Sequence, residues 1–379
     1  MRLCIVYDCL YPHTVGGAER WYRNLAERLA SEGHEVTYLT LRQWPRGGDP
    51  AVDGVSVVPV GPRMALYAKG RRRIGPPVLF GVGVLLHLLV HGGRYDVVHS
   101  ASFPYFSVLA IAVARTLHRF RVIIDWHEVW SRDYWREYLG RAGGLGAAVQ
   151  RVCAHVGDYA FCFSRLHAAR LRDEGFRAPI AVLEGEYAGG VERAEPHPAE
   201  PVVVFAGRHI PEKRVPVIPA ALKQARRRLP ELRAEVYGDG PDRAELLRAI
   251  HAEGLDDAIT APGFVDGATV DRALARALCM LLPSRREGYG MVVVEASARG
   301  TPSVVVDGPD NAATELVDDG RNGFVASSAD PSEIADAILR VHDAGPTLRD
   351  ATAEWFNENA RRLSLDSSLD TVVERYGSR

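Results

Sequence analysis

The segment Glu287-Gly-Tyr-Gly-Met-Val-Val-Val-Glu295 carries the strongest chemical signal in the chain. Two carboxylates, separated by seven residues, bracket a glycine pair and the start of a helix. Pro283 and Ser284 close the strand before them. Gly288 and Gly290, on either side of Tyr289, let the backbone turn tightly and come close to a ligand. The amides of Gly290, Met291 and Val292 then form a helix N-terminus, where aligned dipoles and unsatisfied N–H groups attract a diphosphate. Glu295, inside the helix, is placed to accept hydrogen bonds from a ribose diol. Glu287, on the loop, is placed to reach sugar hydroxyls. The plainer reading is a helix with two solvated glutamates; the glycine-rich strand-to-helix turn at the ligand end of a sheet weighs against it.

A second constellation is Gly207-Arg208-His-Ile-Pro-Glu212-Lys213, directly after a strand. A departing diphosphate gathers negative charge. An Arg and a Lys aimed at it stabilise the transition state more than the ground state. Arg supplies a planar fork for phosphate oxygens and Lys a mobile point charge. By itself this pair is a weak signal, since basic residues after strands are common.

Three smaller signals follow. Gly16 and Gly17, in Val15-Gly-Gly-Ala-Glu19, precede a helix and let backbone amides approach a phosphate or sugar; a plain turn explains them equally well, and no GxGxxG is present. Asp125-Trp126-His127-Glu128 ends a strand. His127 there can bond a sugar hydroxyl or act as a base, with Asp125 and Glu128 holding its tautomer or meeting an acceptor. Trp130, among Trp126, Tyr134 and Trp135, can stack on a sugar face or simply pack a helix. Gly238 and Gly240 end another strand and leave room for a ligand, and Phe264 and Val265 follow Gly263 where a base can pack.

The elements that must position these residues alternate from the start. Leu3–Tyr7, Val36–Thr40, Asp96–His99, Val122–Asp125 and Tyr159–Phe163 read as buried strands, with a helix over Gly17–Ser31. The Gly-, Pro- and Glu-rich stretch from Gly185 to Pro201 reads as a linker. The rhythm restarts with strands at Val202–Phe205, Ala234–Tyr237, Leu278–Leu282 and Ser303–Val306, and helices at Pro241–Ala252 and Gly290–Arg299. The expectation is an α/β protein of two Rossmann-like domains with parallel sheets, residues 1–190 and 200–358, binding ligands in the cleft where they face each other.

The totals agree with that plan. A chain of 379 residues suits two domains, and 47% hydrophobic with 25% charged residues is an ordinary globular profile. A net charge of −2 gives no field that would gather nucleic acid. Five cysteines without a CxxC pair read as buried reduced thiols, not a zinc site. The N-terminal run does not read as a signal peptide, so a cytoplasmic location is expected. The apolar run Val78–Val90 reads as a buried helix. The basic run Lys69–Arg73 is either a solvated loop or a docking point for an anionic acceptor or a membrane surface.

Taken together, these residues resemble the GT4 family of retaining glycosyltransferases, which has the GT-B fold. The resemblance covers most of the chain and is clearest over 202–325. Glu287 and Glu295 resemble that family's EX7E motif, Arg208 and Lys213 its diphosphate-binding pair, Gly16 and Gly17 its N-terminal glycine loop, and His127 the histidine near the transferred sugar. Several positions depart from the family pattern: His209, Arg214, Glu128 and the long segment Gly308–Glu315. The stretch Ala353–Tyr376 resembles the crossing helix that returns to the first domain, with about 360–379 packing back on it. The resemblance implies a retaining glycosyltransferase without metal or cofactor. Its donor is a nucleotide-sugar, UDP or GDP first, and its acceptor a natural product, aminocyclitol, lipid-linked sugar or polysaccharide. By the resemblance, Glu295 holds the ribose, Glu287 and His127 the donor sugar, and the amides of Gly290 to Val292 the diphosphate. A sugar-nucleotide epimerase or phosphorylase of the same fold, and a non-catalytic sugar-nucleotide-binding subunit, are the rival readings.

Overall fold

The computed structural model describes residues 1–377 apart from 46, 49, 69–70 and 191–195. The chain divides into two units, Met1–Leu183 with Leu369–Arg379, and Glu184–Ser368.

The first unit runs β1 (Arg2–Val6), α1 (Gly17–Ser31), β2 (Glu35–Leu41), β3 (Val55–Gly61), a small antiparallel ladder of β4 (Tyr67–Ala68) and β5 (Arg71–Arg72), α2 (Gly75–His91), β6 (Val97–Ala101), α3 (Tyr105–Ala114), β7 (Arg121–Trp126), α4 (Arg132–Leu139), α5 (Gly143–Ala154), β8 (Tyr159–Cys162), α6 (Arg165–Asp173) and β9 (Ile180–Val182). Seven strands form a parallel sheet in the order β3-β2-β1-β6-β7-β8-β9. The central strands are buried on both faces, and the short runs Leu-Cys-Ile-Val and Val-Ile-Ile supply the branched apolar surface that a covered parallel strand needs. Helices α4 and α6 start at Ser131 and Ser164, whose hydroxyls accept from the amides of Tyr134 and His167 at 3.2 Å.

The second unit contains β10 (Val202–Ala206), α7 (Ile218–Ala225), β11 (Arg233–Tyr237), α8 (Arg243–Glu253), β12 (Ile259–Gly263), α9 (Gly267–Arg276), β13 (Cys279–Leu282), β14 (Arg286–Glu287), α10 (Met291–Ser297), β15 (Ser303–Val306), β16 (Asp310–Asn311), β17 (Gly323–Ala326) and α11 (Pro331–Leu363). Its parallel sheet has the order β12-β11-β10-β13-β15-β17. Helix α11 is broken at Gly345, at φ 62°, with Pro346 following. Helix α12 (Leu365–Gly377) carries the chain from the second unit back into the first.

One expectation needs correction, and another lies partly outside the described residues. The helix over the apolar run is only half covered: Phe80, Val84 and Leu88 are buried, whereas Val82, Leu86 and Val90 face outward. Of the basic run Lys69–Arg73, Lys69 and Gly70 lie outside the described residues. All five cysteines are buried and free.

Candidate active site

In the second unit, the segments singled out from sequence meet at the carboxyl ends of adjacent strands. The amide of Gly207 donates to the Tyr237 carbonyl at 3.1 Å, and the amide of Gly238 to the Gly263 carbonyl at 2.8 Å. The ends of β10, β11 and β12 are thereby laced together. Gly238, at φ 120°, has no space for a side chain: a Cβ there would stand 1.9 Å from the Gly207 carbonyl oxygen. Gly240 is hemmed in the same way, 2.3 Å from the carbonyl of His209. The two glycines expected to clear room for a ligand thus clear room for the loop that bears Arg208. Phe264 is 81% exposed and Val265 half-buried beside it.

Two loops carry the charges. Pro211–Lys213 forms one turn of 3₁₀ helix, and its Glu212 carbonyl accepts from the Arg285 amide at 2.8 Å. Lys213 Nζ bonds the Glu287 carboxylate. Arg286, its neighbour in β14, pairs with Glu212 at 3.4 Å. Burial pushes the Arg286 guanidinium down to about 10, against the pull of Glu287 and Asp310. Arg208 is exposed, and its side chain makes no hydrogen bond or ion pair among the described residues. One cation, Arg208, is open to solvent, and a second, Lys213, is held by a buried carboxylate.

Gly290, at φ 107°, caps α10, and a Cβ there would stand 2.6 Å from the Ala313 Cβ. Glycine is required for the turn and for the close approach of the following loop. Gly288, Met291 and Val292 are half-buried along the same turn, and Glu295 is half-buried on α10. Tyr289, expected at the donor, turns its side chain inward. Its ring is buried and its hydroxyl donates to the Glu184 carbonyl at 2.5 Å, so the side chain anchors the loop and leaves only its backbone for a ligand. Sequence reasoning missed Asn311, which sits opposite Glu287 in the β14–β16 ladder. Its side-chain amide donates to the carbonyls of Ser284 at 3.1 Å and Val306 at 2.7 Å, and its side-chain oxygen caps the next turn. An Asn after two apolar strand ends is the one signal that could have pointed to it.

In the first unit, Gly16 is the N-cap of α1 with an extended backbone, and Gly17 is exposed at the first helical position. A Cβ on Gly16 would meet the Glu19 carboxylate at 2.3 Å. That carboxylate sits at the helix's own positive end, where it is electrostatically favoured.

Asp125, expected at an acceptor, is instead fully buried. Its carboxylate accepts from Trp21 Nε1 at 2.8 Å and from His99 Nε2 at 2.6 Å. The carboxylate can only accept, so His99 carries its proton on Nε2 and its Nδ1 accepts from the Tyr376 hydroxyl at 2.6 Å. Burial raises the Asp125 carboxyl, but His99, together with smaller contributions from His127 and the Trp21 hydrogen bond, holds the group below the ordinary carboxylate range. His127 lies beyond it, stacked on Phe163 with centroids 4.0 Å apart and edge-on to Tyr22 at 5.8 Å. Burial pushes its imidazole down to about 4, so it is neutral at pH 7.

The aromatic segment is mostly core. Trp126, Tyr134 and Trp135 are buried, and Trp130 is half-buried with Nε1 donating to Glu128 at 2.8 Å. Buried Gln150, missed in the sequence, anchors the segment: its side-chain oxygen accepts from the Tyr105 hydroxyl, the Trp130 amide and Trp135 Nε1, and its side-chain NH₂ donates to the Trp130 carbonyl.

Two parallel α/β units with charged loops at the strand ends define a GT-B protein. Solved structures share that fold. A sucrose-phosphate synthase from Thermosynechococcus elongatus superposes with TM-score 0.80, covering 99% of this chain and 98% of that one at 18% identity. Anabaena Alr3699/HepE in complex with UDP-glucose superposes with TM-score 0.75 at 17% identity, covering 100% of both chains. The model of the glycosyl transferase 4-like domain matches residues 16–185, and that of glycosyl transferases group 1 matches residues 200–344. The chain belongs to the GT4 glycosyltransferase family. A curated relative, the alpha-D-kanosaminyltransferase of Streptomyces kanamyceticus, is 34% identical over 177 residues, 46% of this chain and 45% of that protein. The chain spans less than half the length of the first curated relatives it matches, 45% and 41%.

Proposed function

We propose that this protein is a retaining glycosyltransferase that moves a sugar from a nucleotide-sugar to an acceptor hydroxyl. The observation that carries the reading is the Lys213–Glu287 ion pair, which joins the two charged loops at the strand ends and leaves Arg208 open beside it. The bond between the anomeric carbon and the β-phosphate oxygen breaks, and its electron pair leaves with the diphosphate. Arg208 and Lys213 neutralise that charge as it develops. The acceptor oxygen bonds the anomeric carbon on the face the diphosphate leaves, and the acceptor proton passes to the departing phosphate. Glu287 holds donor hydroxyls and Glu295 the ribose. Neutral His127 serves as a hydrogen-bond partner to a sugar hydroxyl rather than as a cation.

UDP and GDP are the first donors to try, since a structural neighbour holds UDP-glucose. The acceptor class is a small polyol, an aminocyclitol or a lipid-linked sugar. The buried free thiols suit a reducing cytoplasm. The test is a thermal-shift screen of nucleoside diphosphates and their sugars, followed by mass spectrometry and NMR of products formed with an acceptor panel. Support is a ligand-dependent rise in melting temperature, transfer with the anomeric configuration kept, and loss of transfer in Arg208→Ala. An inverted product removes the retaining assignment. Nucleotide binding with no turnover across the panel returns the chain to a binding subunit.

A further inference from the structure

The outer face of the helical layer on one side of the first unit has a composition the transfer reaction does not explain. Helix α2 packs on α3, and α3 on α5. These three helices contain no Asp, Glu or Lys and a single Arg, Arg151. Their outward positions are apolar: Leu79, Val82, Leu86 and Val90 on α2, Val113 on α3 and Leu117 in the turn after it are exposed between 43% and 74%. The i, i+3 and i+4 spacing makes the α2 residues one stripe. The stripe continues onto α3 without a gap, because Gly81 lets the helices touch: a Cβ there would be 2.6 Å from the Phe106 Cβ. Gly83 seats the opposite side of α2 on the sheet, where a Cβ would stand 1.8 Å from the Val60 carbonyl oxygen. The helix is therefore fixed with its apolar stripe outward.

Charge enters at the border, where arginines outnumber acids around a cavity beside α5. That cavity, of about 470 Å³, is lined by three arginines, Arg132, Arg136 and Arg151, and one acid, Glu174, with Gly144 and Val152 between them. Acids appear on α4 and beyond, where Asp133 pairs with Arg136 and Glu174 with Arg151, and Glu137 is exposed. Arginine forks suit phosphate oxygens, and a layer with apolar side chains at its centre and arginines at its margin matches acyl chains below and phosphates above.

We propose that this face is a docking surface for an anionic lipid bilayer, lying in the headgroup region. Gly75–Arg94 is long and apolar enough to cross a membrane by length and composition, but Phe80, Val84 and Leu88 are buried in the unit, so the helix lies along a surface. A second copy of the chain fits less well: two-fold pairing would set arginine against arginine, with no acid on α2, α3 or α5 to meet them. The proposal does not depend on the transfer reaction.

The test is co-sedimentation of the full chain with phosphatidylcholine vesicles, alone and with phosphatidylglycerol, beside light scattering of the protein alone. Binding to the anionic vesicles, weakened by salt, is expected, with little on the neutral ones. The double variant L86E/V90E should lose at least about 10-fold in vesicle affinity while keeping its melting temperature, since a charge in place of each apolar contact removes it from the acyl boundary. R132A/R136A should lose about 5-fold per arginine on anionic vesicles, following the worth of one basic residue near such a surface. No binding to anionic vesicles, or undiminished binding by L86E/V90E, overturns the proposal. So does a dimer in the parent protein that L86E/V90E converts to monomer, because the face would then belong to a second copy.

Discussion

Replacing Asp125 separates a buried hub from an acceptor contact. In Asp125→Ala, two donors enclosed with the carboxylate, Trp21 Nε1 and His99 Nε2, lose their acceptor. Each orphaned buried donor costs about 1–3 kcal/mol, so the pair costs about 2–6. A loss of about 4 kcal/mol, at about 2–4 °C per kcal/mol for a unit of this size, lowers the melting of the first unit by about 10 °C. Asp125→Asn keeps one side-chain oxygen and should lose about half as much, since it can still accept from one donor. The assay is thermal unfolding by circular dichroism, paired with acceptor KM measured well below the transition. A melting temperature within about 2 °C of the parent for Asp125→Ala, together with a raised acceptor KM, would refute the hub and return Asp125 to the substrate.

Other expectations follow from the same geometry. Arg208→Ala, at an exposed position, should leave stability within about 0.5 kcal/mol while transfer falls about 10²–10³-fold. Lys213→Met strands the Glu287 carboxylate and should cost about 2–4 kcal/mol as well as activity; equal melting temperatures for the two variants would show that the Lys213–Glu287 pair is structurally inert. His127 titrates at about 4 folded against 6.5 unfolded, so between those values the unfolded chain binds more protons. Its contribution is complete above pH 6.5 and is lost as pH falls toward 4, up to about 3 kcal/mol, and His127→Gln should flatten that slope in pH-dependent melting; an unchanged slope assigns it to His87, which is also held at about 4. Gly238→Ala should cost more than about 2 kcal/mol because the Gly207 carbonyl must move, whereas Gly254→Ala, with φ 67° and nothing within 4 Å, pays only about 1 kcal/mol of left-handed strain. Equal losses in the two variants would mean that the clash is relieved without cost.

In the two large sheets the strands missed in the sequence are β3, β9 and β17, and each lies at an edge; the two-residue strands of the small ladders, β4, β5, β14 and β16, were not legible either. An edge strand has one neighbour and less burial, so its composition is less constrained. β3 is mostly half-buried and tolerates Pro59, next to the point where its register with β2 shifts between Thr40 and Leu41. β9 has only three residues, all half-buried. The central strands, mostly apolar on both faces, were legible because burial on two sides admits polar residues only where they pair, as His99 does with Asp125.

The site was legible in the residues whose backbone does the work, and less so where a side chain's direction decides. Gly207, Gly238 and Gly290 are glycines for reasons of φ and close approach that hold whatever ligand binds. Asp125 and Tyr289 were read as ligand contacts from their place at strand and loop ends, yet both point inward. Parity along β7 distinguishes the two cases. Side chains alternate faces, so Ile123 and Asp125 share the side that meets α1, while Trp126 falls on the side that meets Tyr105 of α3. His99 pairs in register with Ile123 and lies on that same face, which puts a histidine against the carboxylate. A carboxylate two residues before the half-buried His127, on a face already holding His99 and Trp21, is thus set to be a support for the fold beneath that histidine. The residue after the strand is released from that alternation, and His127 accordingly packs on Phe163 and Tyr22 rather than on His99 and Trp21.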